Sequence, residues 1–251
     1  MTRARLSVTV ITLDEEEALR RCLESVAWAD EIVVVDAEST DKTVEVARAF
    51  TDSVFVRPWP GFAAQKNFAL EHATGDFVLS LDADEEVTPA LREEITAVLE
   101  GASADAAAYA VPRQNIFWGA WVRHGGLYPD WQVRLLRRGR GRFGDVAVHE
   151  SVRVDGAVVR LRSPLLHRSY RDVADFLARA DRYSSLAAED RLRHGPPVSA
   201  AELVLRPVGR FLGMYVLRAG FLDGWRGFLL AVLYAYYVFI RSAKVWERAR
   251  R

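Results

Sequence analysis

The sequence has little cysteine and no excess of charge. Cys22 is the single cysteine among 251 residues, so no disulfide can form within the chain, which is consistent with a reducing compartment. The 34 basic and 34 acidic side chains cancel to a formal net charge of zero. Because nucleic-acid-binding proteins usually carry a positive surplus, we expect no nucleic-acid partner.

The sequence also lacks a convincing signal peptide and an apolar run of spanning length. The apolar segment 6–13 leads directly into four acidic residues at 14–17, instead of a small-residue cleavage site. Residues 228–240 carry no charge, but they fall short of the roughly 20 residues that span a bilayer. The basic segment 241–251 follows them and favours a helix at an anionic membrane surface. The alternative is a helix buried in a soluble core.

The first hundred residues alternate between strand and helix patterns. Apolar strands are predicted at 6–11, 32–35, 54–56 and 77–81, and helical periodicity lies between them. Repeated β-α-β units predict an α/β fold with a doubly wound, mostly parallel sheet. The pattern is aromatic and strand-like from 101 to 167 and helical from 172 onward.

Four aspartates follow the predicted strands directly: Asp14, Asp36, Asp82 and Asp84. Ligands of parallel α/β sheets bind at the carboxyl ends of the strands, where these side chains would gather. Gathered carboxylates are costly unless a positive group joins them. The Asp-x-Asp pair at 82 and 84 therefore predicts a site for Mg²⁺ or Mn²⁺, which prefer oxygen ligands and bind phosphates as well.

Several segments together resemble family 2 glycosyltransferases, which have the GT-A fold. The segments are LSVTVITLDEE (6–16), IVVVDAESTDKT (32–43), QKNFAL (65–70), GD (75–76) and DAD (82–84). Three later segments are similar to the bacterial branch that includes lipopolysaccharide core glucosyltransferases: YPDWQVRL (128–135), VHE (148–150) and GFLDGWRGF (220–228).

The resemblance implies roles for individual residues. Thr12, Glu15 and Asp36 would hold the base and ribose of a nucleotide sugar, with Asp14, Lys66 and Asp82 beside them. Asp84, helped by Asp82, would bind the metal ion, and His167 or His149 would complete its ligands. The family commonly has asparagine where this chain has Asp14. Simpler alternatives are a solvated surface charge for Lys66 and a half-buried structural histidine for His167.

Two carboxylates are candidates for the general base. Asp130 matches the aspartate of the family's Glu-Asp motif, although Pro129 replaces the glutamate, and Glu150 is the rival. We favour Asp130, because a general base is identified first by its distance from the acceptor hydroxyl and only then by its pKa. Five arginines between 134 and 142 would form either a solvated loop or a contact with acceptor phosphate.

The sequence thus predicts a metal-dependent, inverting glycosyltransferase that uses a nucleoside diphosphate sugar, with a UDP-sugar as the first expectation. The acceptor would be a lipid-linked or lipopolysaccharide core glycan at the inner, cytoplasmic face of the plasma membrane. Residues 1–100 would bind the donor, 101–170 would form the acceptor-binding and catalytic half, and 171–251 would form a helical membrane-peripheral region. A sugar nucleotidyltransferase and a non-catalytic glycan- or lipid-binding scaffold are the alternatives.

Overall fold

The computed structural model describes residues 3–101, 106–144, 151–195 and 198–250. The helices are α1 (Glu16–Val26), α2 (Thr43–Arg48), α3 (Phe62–His72), α4 (Pro89–Leu99), α5 (Val173–His194), α6 (Ala200–Leu212) and α7 (Gly224–Arg248). The strands are β1 (Leu6–Thr12), β2 (Glu31–Asp36), β3 (Val54–Val56), β4 (Phe77–Asp82), β5 (Glu85–Val87), β6 (Ala108–Phe117), β7 (Ala120–Trp121), β8 (Asp130–Arg137), β9 (Gly141–Gly144), β10 (Ser151–Val154), β11 (Val158–Arg160) and β12 (Leu165–Tyr170).

Ten of these strands form one sheet, and β9 and β10 form a separate antiparallel pair. The order in the large sheet is β3-β2-β1-β4-β8-β6-β12-β5, with β7 and β11 beside β6. The first four strands of this order are parallel, whereas β8 joins antiparallel to β4 and β6. The α/β fold with a parallel-dominant sheet is confirmed.

The two faces of the parallel strands pack against different helices. Val8, Val10 and Val34 join a large core with α1, α2 and α4, whereas Val33 and Val35 face α3 on the other side. This alternation follows from the two-residue period of a strand. Because both faces are buried, most residues of β1 and β2 are apolar, and the carboxyl ends of these strands carry the polar residues Thr12 and Asp36.

The described residues fall into two compact units. The first contains residues 3–101, 106–113, 130–144 and 151–167, and the second contains 114–129, 168–195 and 198–250. The division into donor half, acceptor half and membrane-peripheral region stays a prediction about what each part does.

The second unit is built mainly from α5, α6 and α7. Phe176 and Leu233 belong to one small core between α5 and α7, and Ala188 and Val245 belong to another. The charge-free run 228–240 lies inside the longer helix α7. Within the described residues, the stretch Gly220–Arg248 has a length and hydropathy that would suffice to cross a membrane, which is weak evidence by itself.

Candidate active site

Thr12 and Asp36 lie side by side at the carboxyl ends of β1 and β2. They are register partners, and the N–H of Ala37 donates to the carbonyl of Thr12 at 2.9 Å. Asp36 is fully buried, and its carboxylate accepts the N–H of Ser39 at 2.8 Å as well as the Ser39 hydroxyl. Among the described residues the buried hydroxyl of Thr12 has no hydrogen-bond partner. An unsatisfied polar atom at this edge fits a ligand that supplies one.

Asp14 holds the loop that follows β2. Its φ of 51° lies in the left-handed region, which asparagine and aspartate tolerate better than most residues. Its Oδ1 accepts the N–H of Thr40 at 2.7 Å, and its own N–H donates to Ser39 at 2.8 Å. The N–H of Glu15 donates to the hydroxyl of Thr43 at 2.9 Å. The aspartate that stands in place of asparagine therefore fixes the loop next to Asp36.

Lys66 and Arg134 both bind Asp82. Lys66 Nζ lies 2.8 Å from Oδ1, and Arg134 Nη2 lies 2.6 Å from Oδ2. Burial alone would raise the pKa of Asp82, but the charges of Arg134 and Lys66 outweigh burial and hold that pKa far below its usual range. Lys66 is only 2% exposed, so it is not a solvated surface charge. Arg134 is also buried, so the first alternative for the arginine cluster, a solvated loop, does not hold for this residue.

Glu85 connects this pair to a second arginine. It is completely buried, its Oε1 lies 2.7 Å from Arg134 Nη2 and 3.6 Å from Arg113 Nη1, and its Oε2 accepts the N–H of Asp82 at 3.0 Å. Neither Glu85 nor Arg113 is among the site residues predicted from the sequence. The acidic segment 82–86 was the available signal for Glu85, whereas only the pairing of β6 with β8 identifies Arg113.

Arg113 extends the chain of charges to Asp130. The two residues are register partners on β6 and β8, and Arg113 donates from Nε at 2.9 Å and from Nη2 at 2.7 Å to Oδ2 of Asp130. Gln132 Nε2 donates to Oδ1 at 2.8 Å. Burial opposes the charge of Arg113, but Glu85 and then Asp130 outweigh it and raise the pKa of Arg113. The carboxylate of the favoured base is therefore fixed in position beside a permanent positive charge.

Asp84 and His167 form a pair beside this network. His167 Nε2 lies 3.4 Å from Asp84 Oδ2, because β12 pairs with β5 so that His167 stands opposite Glu85. The sequence placed these residues 83 positions apart, and the sheet brings them together. No cluster of three or more histidine, cysteine or acidic side chains suited to a metal ion occurs in the part of the chain that the structure describes.

Gln65 is a further polar residue in the same unit that was not predicted as a site residue from the sequence. It lies next to Lys66 on α3, is fully buried, and neither atom of its amide group has a hydrogen-bond partner among the described residues. The other candidates of the sequence analysis, Glu150 and His149, lie outside the described residues.

Comparison with known proteins identifies the class of this fold and site. The model of glycosyl transferase family 2 matches residues 7–165, and the chain belongs to that family. It is 32% identical over 250 residues to a lipopolysaccharide core biosynthesis glycosyltransferase, LpsC, of Rhizobium meliloti, with 97% of this chain and 92% of that protein covered. It is 31% identical to a glycosyltransferase of Rickettsia typhi, RT0209, with 97% and 87% covered.

Two solved structures share the fold at low sequence identity. A mannosyltransferase of Pyrobaculum calidifontis in complex with GDP-mannose and Mn²⁺ has a TM-score of 0.57 at 18% identity, covering 99% of this chain and 89% of that one. Residues 1–349 of TarS from S. aureus in complex with UDP-GlcNAc give a TM-score of 0.52 at 16% identity, with 98% and 91% covered. The predicted GT-A-type fold and the family are thus confirmed, and the protein is a glycosyltransferase.

Proposed function

We propose that the protein transfers a sugar, with inversion, from a nucleoside diphosphate sugar to a hydroxyl of a lipid-linked glycan. The observation that carries the proposal is the continuous network in the first unit. It joins Lys66 and Asp82, on the predicted donor side, through Arg134, Glu85 and Arg113 to Asp130, the favoured base. A network of alternating charges holds its members in fixed positions, which transfer between two bound substrates requires.

The base and ribose of the donor would bind at Thr12, Glu15 and Asp36. The hydroxyl of Thr12 and the amide of Gln65 have no hydrogen-bond partner among the described residues, which supports this assignment, because buried polar groups are normally hydrogen-bonded and a ligand would satisfy them. Lys66 is neutralised by Asp82, so its role would be to hold Asp82 in place next to the diphosphate. Asp14 would act indirectly, through the loop that carries Thr40.

Asp84 and His167 would hold the metal ion, with oxygens of the diphosphate and water as its remaining ligands. A carboxylate and an imidazole 3.4 Å apart form a donor set that fits a divalent cation. The imidazole favours Mn²⁺ over Mg²⁺, since Mg²⁺ prefers oxygen ligands. Asp82 would contribute less than Asp84, because Lys66 and Arg134 already bind its carboxylate. A bound ion supplies Lewis-acid stabilisation of the departing diphosphate.

Asp130 would accept the proton of the acceptor hydroxyl as its oxygen attacks the anomeric carbon. Arg113 and Gln132 hold its carboxylate in a fixed orientation. Glu150 remains the rival base. A single displacement of this kind inverts the configuration at the anomeric carbon.

The acceptor would be a growing lipid-linked glycan, such as a lipopolysaccharide core, at the inner face of the plasma membrane. Two observations support this part of the proposal. The relative from Rhizobium meliloti is named for lipopolysaccharide core biosynthesis, and the second unit combines exposed apolar side chains with arginines. Two proteins of the same fold were solved with different sugar nucleotides, GDP-mannose and UDP-GlcNAc, so a test of the donor has to include both nucleotides.

The decisive experiment measures release of nucleoside diphosphate from a panel of UDP-, GDP-, ADP- and dTDP-sugars with Mn²⁺, with Mg²⁺ and with EDTA. We expect slow release from one donor, faster with Mn²⁺ than with Mg²⁺ and lost in EDTA. Each donor is also tested for a rise in melting temperature. Silence in both assays across the panel would overturn the proposal and favour the non-catalytic scaffold.

A further inference from the structure

The second unit exposes large apolar side chains over one short stretch of chain, from α6 to the first turn of α7. Seven of them, each at least 51% exposed, define what we term the apolar surface: Val204, Leu205, Val208, Val216, Leu217, Leu222 and Trp225. Leu217 is 83% exposed. Helix α6 is described in full and has no buried residue, although its apolar side chains recur with helical spacing. Soluble proteins rarely leave so many large apolar side chains in water without a partner.

Four aromatic rings hold the elements that carry this surface together. Phe211 of α6 stacks on Tyr215 of the π-helical turn Gly213–Leu217 at 5.4 Å between ring centroids. Tyr215 contacts Phe221 of the 3-10 turn Gly220–Asp223 at 6.3 Å and Phe228 of α7 at 5.6 Å. The elements that bear the apolar surface therefore pack against one another. A docking surface requires such a fixed arrangement.

The charges among these side chains are mostly positive, although Arg206 is paired with Glu202 of the same helix at 2.8 Å. Between residues 204 and 228 the arginines are Arg206, Arg210, Arg218 and Arg226, and the single acid is Asp223. The carboxylate of Asp223 accepts the backbone N–H of His124 at 2.7 Å and contacts its ring at 3.0 Å, so it is engaged within the unit. Exposed apolar side chains interleaved with arginines match a bilayer surface that contains anionic lipids.

Two other occupants fit the same observations less well. A second copy of the chain, docking through the same surface, would bring identical arginines together around a two-fold axis. Insertion of α7 across the bilayer would expose its polar contacts to lipid, because Lys244 Nζ binds Asp181 of α5 at 2.6 Å and Arg248 Nη1 lies 3.2 Å from Glu189. Helix α7 is therefore held on α5 along its carboxyl-terminal half.

We propose that the apolar surface, with Arg210 and Arg218 beside it, lies in the headgroup region of an anionic membrane and anchors the enzyme there. The proposal deepens the proposed location at the membrane and rests on it. It also assigns the anchoring to α6 and the turns that follow, and not to the basic carboxyl-terminal segment 241–251. Trp225 at one end of the surface suits this depth, since tryptophan is enriched at membrane interfaces.

The test is sedimentation of the full-length protein with vesicles of phosphatidylcholine and phosphatidylglycerol, and with phosphatidylcholine alone. The triple variant Leu205→Gln, Leu217→Gln, Leu222→Gln should lose binding by at least about tenfold, because three exposed leucines no longer enter the bilayer. The matched control is Leu177→Gln, Leu186→Gln, Leu192→Gln on α5, whose leucines are 39% to 41% exposed. It should bind as the unaltered protein does.

A second pair of variants tests the contribution of the arginines. Arg210→Gln with Arg218→Gln should weaken binding to the anionic vesicles more than tail variants Arg248→Gln with Arg250→Gln do. Donor hydrolysis and melting temperature are measured on every variant, so that failure of the enzymatic proposal is distinguished from failure of this one. Vesicle binding that is equal in the two leucine triples, or absent from the unaltered protein, would overturn the proposal. The proposal would also be overturned if the unaltered protein self-associates and only the triple variant of Leu205, Leu217 and Leu222 abolishes this. The apolar surface would then be an interface between copies of the chain.

Discussion

The two compact units differ in where they place charged and apolar side chains. The first unit buries charges: Lys66, Arg134 and Glu85 lie inside it and neutralise one another and Asp82. The second unit exposes large apolar side chains, of which Leu217 is the most extreme. Both arrangements are costly unless something compensates for them. We infer that bound substrates compensate for the buried charges of the first unit. Contact with a membrane would compensate for the exposed apolar side chains of the second unit.

Loss of Asp84, the proposed metal ligand, should have the largest effect, and this effect should be confined to catalysis. Asp84→Asn should lower turnover by more than about 10²-fold, because Lewis-acid stabilisation is worth several kcal/mol, while vesicle binding stays unchanged. Glu86→Gln, a neighbouring carboxylate paired with Arg21 at 3.2 Å, is the control and should stay active. A fully active Asp84→Asn protein would contradict the metal assignment.

Removal of Asp130, the favoured candidate for the general base, should have the next largest effect. Asp130→Asn should lower turnover by about 10²–10⁴-fold with a smaller change in donor KM, since the base acts in the transition state. Glu150→Gln is assayed in parallel under the same conditions. If Glu150→Gln shows the large loss and Asp130→Asn does not, Asp130 is only a partner of Arg113 and the rival assignment is correct.

Breaking an ion pair should cost much more in the first unit than in the second. Arg134→Met leaves Glu85 and Asp82 without a shared buried partner, so the free energy of unfolding should fall by about 3–5 kcal/mol. Arg248→Met breaks the partly exposed pair with Glu189 and should cost about 0–1 kcal/mol. Urea denaturation of both variants gives the two values. Equal losses would show that burial of charge does not distinguish the units.

The unpartnered amide of Gln65 predicts a smaller effect on stability and an opposite effect on binding. Gln65→Met removes a buried polar group that lacks a partner in the described chain, so the free energy of unfolding should rise by about 1 kcal/mol. Donor affinity should fall if the amide binds the nucleotide. Calorimetric titration with the donor, compared with the change in melting temperature, separates the two. A more stable variant that binds donor normally would make Gln65 a purely structural residue.

The smallest effect should be a change in the acid dependence of stability. The lowered pKa of Asp82 in the folded protein means that its stabilising contribution is complete above the unfolded-state pKa of about 3.9 and is lost as the pH falls toward the folded-state value. Asp82→Asn should therefore flatten the fall in unfolding free energy below about pH 5. Asp155→Asn, an exposed carboxylate paired with Arg140, is the control. An unchanged slope in Asp82→Asn would contradict the ion-pair network.

The local sequence determined the type of sheet and the positions of several candidate site residues. The mostly apolar strands β1, β2 and β4 indicated a sheet covered on both faces, and their ends placed Thr12, Asp36 and Asp82 at its carboxyl edge. The motifs around them were sufficient to indicate family 2 glycosyltransferases, which the family match confirms. Roles of single residues in donor, metal and base binding stay predictions.

The tertiary structure decided which distant charges meet. The contact of Arg113 with Asp130 depends on the register of β6 against β8, and the contact of His167 with Asp84 depends on the pairing of β12 with β5. Register between strands far apart in the chain has no local signal, because it arises from the packing of the whole sheet. The same holds for α6, whose periodicity predicts an apolar face but not that the face stays uncovered.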